Sequence, residues 1–182
     1  MLPVDLPEVD ITNPDAIGHS VDVGKPDVVI HAAALTAVDD CERQAERAFL
    51  VNSTGTRNVA LACRRAGVPM LYISTDYVFD GEKSGPYLED DRTNPLNVYG
   101  RSKLEGELHV RELVPRFWIV RTSWLFGPLG KNFVQTILGR VRAGEALRIV
   151  DDQVGAPTYT VDLGAKLLEI VEKGGPGVYH VT

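Results

Sequence analysis

Short apolar runs rich in β-branched residues alternate with stretches of helical periodicity along most of this chain, and few folds accommodate that alternation. Pro26-Asp27 opens the run Val28 to Ala33, which ends in alanines; Ala45 to Ala66 then repeats apolar residues at helical spacing (Ala45, Ala48, Phe49, Val59, Ala62) until Gly67 closes it. Val68 to Ser74 reads as a second strand, Tyr99 to Leu113 as a second long helix, and Phe117 to Thr122 as a third strand stopped by a turn at Trp124–Pro128. Asn132 to Arg142 reads as a helix and Leu147 to Val150 as a short strand. Val161 to Glu172 reads as a helix after a turn at Pro157-Thr158, and Val178 to Val181 as a last strand. Strands that are apolar throughout and separated by helices are buried on both faces, so the predicted class is α/β, a doubly wound parallel sheet in a single domain over residues 1–182. No internal repeat or low-complexity stretch interrupts it.

Composition narrows the function. With 182 residues, 44% of them apolar, and no apolar run approaching a membrane span, the chain can bury one core in water. A net charge of −6 without clustered lysine or arginine argues against nucleic acid and favours a small-molecule ligand. Cys41 and Cys63 form no CxxC and have no histidine at ligand spacing, so neither a disulfide framework nor a zinc site is expected. The first ten residues carry no basic region followed by an apolar stretch, which predicts a cytoplasmic protein. The acidic run Glu89-Asp90-Asp91 reads as a solvated loop rather than a metal site.

Ligands of such sheets sit at the carboxyl ends of the strands. Three consecutive predicted strands end in small or polar groups: Ala32, Ala33 and Ala34; Ser74, Thr75 and Asp76; Thr122, Ser123 and Trp124. Alanines there would let a flat ligand approach the backbone, although helix-against-strand packing explains them too. Tyr99 and Lys103 stand four residues apart on a predicted helix, which puts phenol and ammonium on one face. A tyrosine working at neutral pH needs its pKa lowered by roughly 3 units, about 4 kcal/mol, and burial alone acts in the wrong direction. One ammonium at about 4 Å in an effective dielectric near 20 supplies about that much. The alternative is that Lys103 pairs with Glu107 one turn on, leaving Tyr99 as a packing residue.

Taken together, Asp10–Thr12 (DIT), Asp27–Asp39 (DVVIHAAALTAVD), Asn52, Ile73–Gly81 (ISTDYVFDG), Gly85-Pro86-Tyr87, Pro95–Lys103 (PLNVYGRSK), Arg121–Trp124 (RTSW), Asn132-Phe133 and Asp151–Tyr159 (DDQVGAPTY) give the chain a resemblance. It resembles the extended short-chain dehydrogenase/reductases with a Rossmann-like sheet, and among them the dTDP-4-dehydrorhamnose reductase family. The resemblance implies hydride transfer from NADPH or NADH to the C4 ketone of a dTDP-linked 6-deoxy sugar. Tyr99 would donate the proton, Lys103 would lower its pKa and bond the nicotinamide ribose, and Thr75 would hold the ketone oxygen. Asp76 and Trp124, with Thr75, match substrate-binding positions. Asp10, Ile11, Ala32, Ala33 and Ala34, with Tyr99 and Lys103, match cofactor-binding ones. Residues 125–160 would contribute to the sugar-nucleotide region. Some relatives bind Mg2+ at a dimer contact; a homodimer is expected here, with no metal ligands identifiable. Asp76 could instead cap the turn before Tyr77, and Trp124 could be core.

One departure accompanies the resemblance. The superfamily opens with a strand, a glycine-rich turn and a helix whose amides hold the cofactor pyrophosphate. Here the first glycine is Gly18, and Gly175-Pro176-Gly177 follows a predicted helix and precedes a strand, the reverse order. The chain reads as incomplete at its N-terminus and short of the family's C-terminal end, and alone it is expected to hold NADPH weakly. Among other chemistries, a 4,6-dehydratase needs a carboxylate where Tyr77 stands. Epimerases keep the tyrosine and lysine but lack the Gly155–Tyr159 segment. A hydrolase would need a Gly-x-Ser-x-Gly that does not occur. A non-catalytic regulatory homologue would ordinarily alter Thr75, Tyr99 or Lys103.

Overall fold

The computed structural model of the protein describes residues 3–130 and 132–182; Met1 and Leu2, where the reading for a targeting signal begins, lie outside it. In chain order the elements are α1 (Pro14–Gly24), β1 (Val29–His31), α2 (Val38–Arg43), α3 (Ala45–Phe49), a π-helical turn (Leu50–Gly55) and α4 (Thr56–Ala66). They continue with β2 (Met70–Thr75), α5 (Val98–Leu113), β3 (Phe117–Thr122), β4 (Leu125–Phe126), α6 (Phe133–Arg142), β5 (Thr158–Tyr159), α7 (Thr160–Lys173) and β6 (Gly177–His180). The main sheet runs β1-β2-β3-β6, every pairing parallel, with Thr75 opposite Thr122 at the carboxyl edge. Helices cover both faces. Ile17, Val21, Val59, Cys63, Met70, Tyr72, Val110 and Ile119 close one side under α1, α4 and α5. Leu71, Trp118, Val120, Leu163, Leu167 and Ile170 close the other under α7.

Local sequence explains where the elements begin and end. Asparagines cap α1, α5 and α6, Asn13 accepting from Asp15 N and Ala16 N, Asn97 from Gly100 N and Asn132 from Gln135 N. Gly67 ends α4 in the left-handed region at φ 68°. Two glycines let α5 settle onto its neighbours. A Cβ at Gly100 would stand 2.1 Å from the Tyr77 carbonyl, and one at Gly106 would stand 2.5 Å from the Tyr72 hydroxyl and 2.8 Å from the Asn52 carbonyl. Both cysteines are buried and free.

Three expectations change. The predicted strand at Leu147–Val150 is absent: Ile149 and Val150 are exposed, and without a neighbouring strand to bond, an apolar run does not become one. The predicted turns at Trp124–Pro128 and Pro157-Thr158 instead contribute Leu125-Phe126 and Thr158-Tyr159 to a small parallel sheet, β4 with β5. The helix predicted over Ala45–Ala66 carries the π-helical turn in its middle. The acidic loop is solvated as expected, with Glu89 and Asp90 exposed, and it is also anchored: Glu89 accepts a hydrogen bond of 3.0 Å from His180 N on β6 and Asp91 one of 2.7 Å from Leu88 N.

Candidate active site

Thr75, Asp76, Tyr99 and Lys103 come together at the carboxyl edge of β2. Thr75, the last residue of that strand, is buried; its hydroxyl donates to Asp76 Oδ1 at 3.0 Å and accepts from Tyr77 N at 3.2 Å. Thr75 therefore caps the turn that Asp76 was the alternative candidate to cap, and burial raises the Asp76 carboxyl above its ordinary value. Tyr99 and Lys103 lie in the first turns of α5, with Tyr77 edge-on to Tyr99 at 5.8 Å between ring centroids. Burial pushes the Tyr99 phenol up to about 12, and a hydrogen bond with Thr75 acts against it. The expectation of a phenol lowered by an adjacent ammonium is not met, because the loss of solvent around the phenol outweighs every neighbour. The Lys103 amine is itself pulled down to about 7 by burial, with the Glu107 carboxylate acting against it.

The alternative reading of Lys103 fails on geometry. Its Nζ donates to the Ile73 carbonyl at 2.7 Å. Glu107, wholly buried, is committed elsewhere: it accepts from Arg121 Nε at 2.9 Å, from Arg121 Nη2 at 2.8 Å and from the Ser74 hydroxyl at 2.6 Å. That fork fixes α5 against β2 and β3, and so fixes the height of Tyr99 and Lys103 at the edge.

A second brace comes from Asn52 in the π-helical turn. Its carboxamide accepts from Leu35 N at 2.7 Å and donates to the Leu35 carbonyl and the Ser102 hydroxyl, each at 3.0 Å. Ser102 in turn donates to the Tyr99 carbonyl at 2.8 Å. One side chain thus ties the loop after β1 to the helix of Tyr99. In that loop Ala32 and Ala33 are exposed and Ala34 half-buried, so these alanines offer their surface to the edge rather than packing under a helix. Ile11 packs against the same turn where Gly55 leaves room, a Cβ there falling 2.7 Å from Ile11 Cδ1. Asp10 accepts from Thr12 N and the Thr12 hydroxyl, both at 2.8 Å, which lowers its carboxyl pKa. No hydrogen bond among the described residues links Asp10 or Ile11 directly to Tyr99.

Trp124, two residues past β3, is not core. It is 44% exposed and holds φ at 45°, a conformation unusual for a bulky residue and a mark of functional sites. Gly155 seats it, since a Cβ there would lie 2.8 Å from the indole, and the Ser123 hydroxyl pins the neighbouring turn by donating to the Ala156 carbonyl at 2.7 Å. Of the residues that set this geometry, Glu107 enters the sequence reading only as the alternative partner of Lys103, and Arg121, Ser102, Gly155 and Asn52 only as parts of matching segments without a role.

Over its whole described length the chain is similar to known proteins. The family model described as the RmlD substrate binding domain matches residues 1–182. A dTDP-4-dehydrorhamnose reductase of Aggregatibacter actinomycetemcomitans is 45% identical over 100% of this chain and 64% of its own length. The chain belongs to the dTDP-4-dehydrorhamnose reductase family. The crystal structure of such a reductase from Clostridium acetobutylicum superposes with a TM-score of 0.96 at 45% identity, covering 100% of this chain and 64% of that one. The Bacillus anthracis reductase in complex with NADP gives a TM-score of 0.96 at 41% identity with the same coverage. The sheet is thus Rossmann-like, and the chain spans a little under two thirds of the length of these relatives. Among the described residues no helix is long and apolar enough to cross a membrane.

Proposed function

We propose that this chain carries the reducing site for dTDP-4-dehydro-6-deoxy-L-mannose, giving dTDP-L-rhamnose with NADPH, or NADH, as reductant. The observation that carries the reading is the convergence of the Thr75 hydroxyl, the Tyr99 phenol and the seated Lys103 amine on one strand end. Bound coenzyme supplies the hydride. The protein's own share is proton delivery and positioning. A phenol at about 12 is protonated throughout the neutral range, which suits Tyr99 as the acid that protonates a forming alkoxide and not as a resting base. Thr75 would hold the ketone oxygen, and Asp76 and Trp124 would grip the sugar nucleotide, with residues 125–160 completing that region.

The residues present fit a dinucleotide: exposed Ala32 and Ala33 admit a flat ring, Lys103 faces the same edge, and the buried Thr122 hydroxyl beside Thr75 has no protein partner. Asp10, Ile11, Ala32, Ala33, Ala34, Tyr99 and Lys103 would hold it. Among the described residues no three metal-ligating side chains cluster. The names of the relatives and the NADP complex support this reading; the cytoplasmic location and the homodimer we propose from the sequence and its resemblance alone. The test is to supply NADPH and dTDP-4-dehydrorhamnose to the chain extended to its relatives' length. Formation of dTDP-L-rhamnose supports it; coenzyme left unoxidised refutes it.

A further inference from the structure

Lys103 sits in a seat whose floor is aromatic. Its Nζ lies 4.0 Å from the centroid of the Tyr72 ring, while the Ile73 carbonyl accepts its hydrogen bond from the side. Lys103 is only 3% exposed and Tyr72 wholly buried, so water does not screen the contact. The ring cannot swing away. His31 stacks on it at 5.5 Å between centroids, and its hydroxyl fills the gap left by Gly106, near the Lys103 carbonyl at 3.4 Å.

We propose that Tyr72 is a positioning residue for the proton chemistry at Tyr99, its ring face holding the Lys103 amine in place and in its charged form. The proposal rests on the reductase reading for its purpose, but the seat itself is a property of this chain. The face of a phenol ring is negative, and a desolvated ammonium over it is stabilised relative to the neutral amine. The groups that face Lys103 are few. From α5 comes the Glu107 carboxylate, which favours the charged amine. From β1 comes His31, which burial drives down to about 3 so that it is uncharged near neutrality. From β2 come the Tyr72 ring and the Ile73 carbonyl. Glu107 is also held by Arg121, and the Tyr72 ring and the Ile73 carbonyl are the neighbours that touch the amine directly.

The experiment is an NMR titration of isotopically labelled lysine side chains in the chain extended to its relatives' length, with the Lys103 signal assigned by its loss in Lys103→Met. Tyr72→Phe keeps the ring face and should leave the Lys103 midpoint where it is. Tyr72→Leu keeps the site dry without the ring and should lower the midpoint by about one pH unit. If the leucine protein does not fold, phenylalanines of increasing fluorine content at position 72 keep the shape while draining the ring face, and the midpoint should fall stepwise with fluorination. A midpoint flat across that series, or one that falls as far with Tyr72→Phe as with Tyr72→Leu, overturns the proposal. The two readings fail separately. A stepwise fall in a protein that reduces no dTDP-sugar refutes the reductase reading and leaves the seat standing; a flat midpoint in an active protein refutes the seat alone.

Discussion

The seam between α5 and strands β2 and β3 contrasts sharply with the segment from β4 to β5. In the seam Asn52, Ser74, Ser102, Lys103, Glu107 and Arg121 are all at most 3% exposed, and each has a hydrogen-bond partner. In the other region α6 buries no residue, and Phe133, Leu138 and Val154 are 66%, 48% and 103% exposed. Order there comes from two short strands, the Ser123 bond to Ala156 and the tilted Phe126–Tyr159 pair. Under the proposed function the difference separates two tasks. Proton delivery needs atoms held to a fraction of an ångström, which a buried, hydrogen-bonded polar layer provides at the cost of being intolerant of change. A grip on a sugar nucleotide can tolerate, and use, a segment that packs loosely until its ligand arrives.

The two regions should then respond differently to substitution. The largest effect belongs to the seam: Arg121→Met takes the bidentate partner from the buried Glu107 carboxylate, leaving it the Ser74 hydroxyl and Arg111 at 3.6 Å, and should cost about 3 kcal/mol in chemical denaturation. A loss below about 1 kcal/mol would mean that the layer does not hold α5. Next comes Lys103→Met, which should inactivate the site and yet stabilise the fold near neutrality. Burial takes the amine from 10.5 to about 7, a preference for the neutral form worth about 5 kcal/mol at most. Losing the bond to Ile73 takes back about 1–3 kcal/mol, leaving a net gain of about 2–4 kcal/mol. The pH dependence follows from the direction of that shift. Between 7 and 10.5 the unfolded chain binds the proton that the folded one does not, so the wild type gains stability as pH rises through this window. The methionine protein's advantage should therefore be full below pH 7 and gone above 10.5. An advantage that does not change with pH would contradict the burial of Lys103. The smallest effect belongs to the other region, where Leu138→Gln on exposed α6 should shift the unfolding midpoint by no more than about 0.5 kcal/mol equivalent. A loss as large as that of Arg121→Met would erase the contrast.

How much of this the sequence reveals also differs between the two regions. Strand β3 has the predicted bounds, Phe117 to Thr122, because a buried parallel strand is apolar from end to end. The four-residue step from Tyr99 to Lys103 is local, and a helix realises it directly. What the sequence leaves out is non-local. The pairing of Glu107 with Arg121 crosses from a helix to a strand and has no periodic signature, and whether the Lys103 amine turns to Glu107 or to the Ile73 carbonyl depends on that pairing. Helix α1 was legible but unread: Asn13-Pro14 is a start signal, yet its buried apolar residues are only Ile17 and Val21 among polar neighbours. The false strand at Leu147–Val150 shows the opposite error, since an apolar run does not say whether a partner strand will be there.

The central claim is that Tyr99 delivers the proton at a site assembled by this seam. The most direct test is the turnover of Tyr99→Phe, measured as NADPH oxidation with dTDP-4-dehydrorhamnose in the chain extended to its relatives' length, with folding checked alongside. Removing one hydroxyl should lower kcat by about 10² or more while coenzyme binding and unfolding midpoint stay near those of the parent protein. A phenylalanine protein that is folded and reduces the sugar at close to the parent rate would contradict the account.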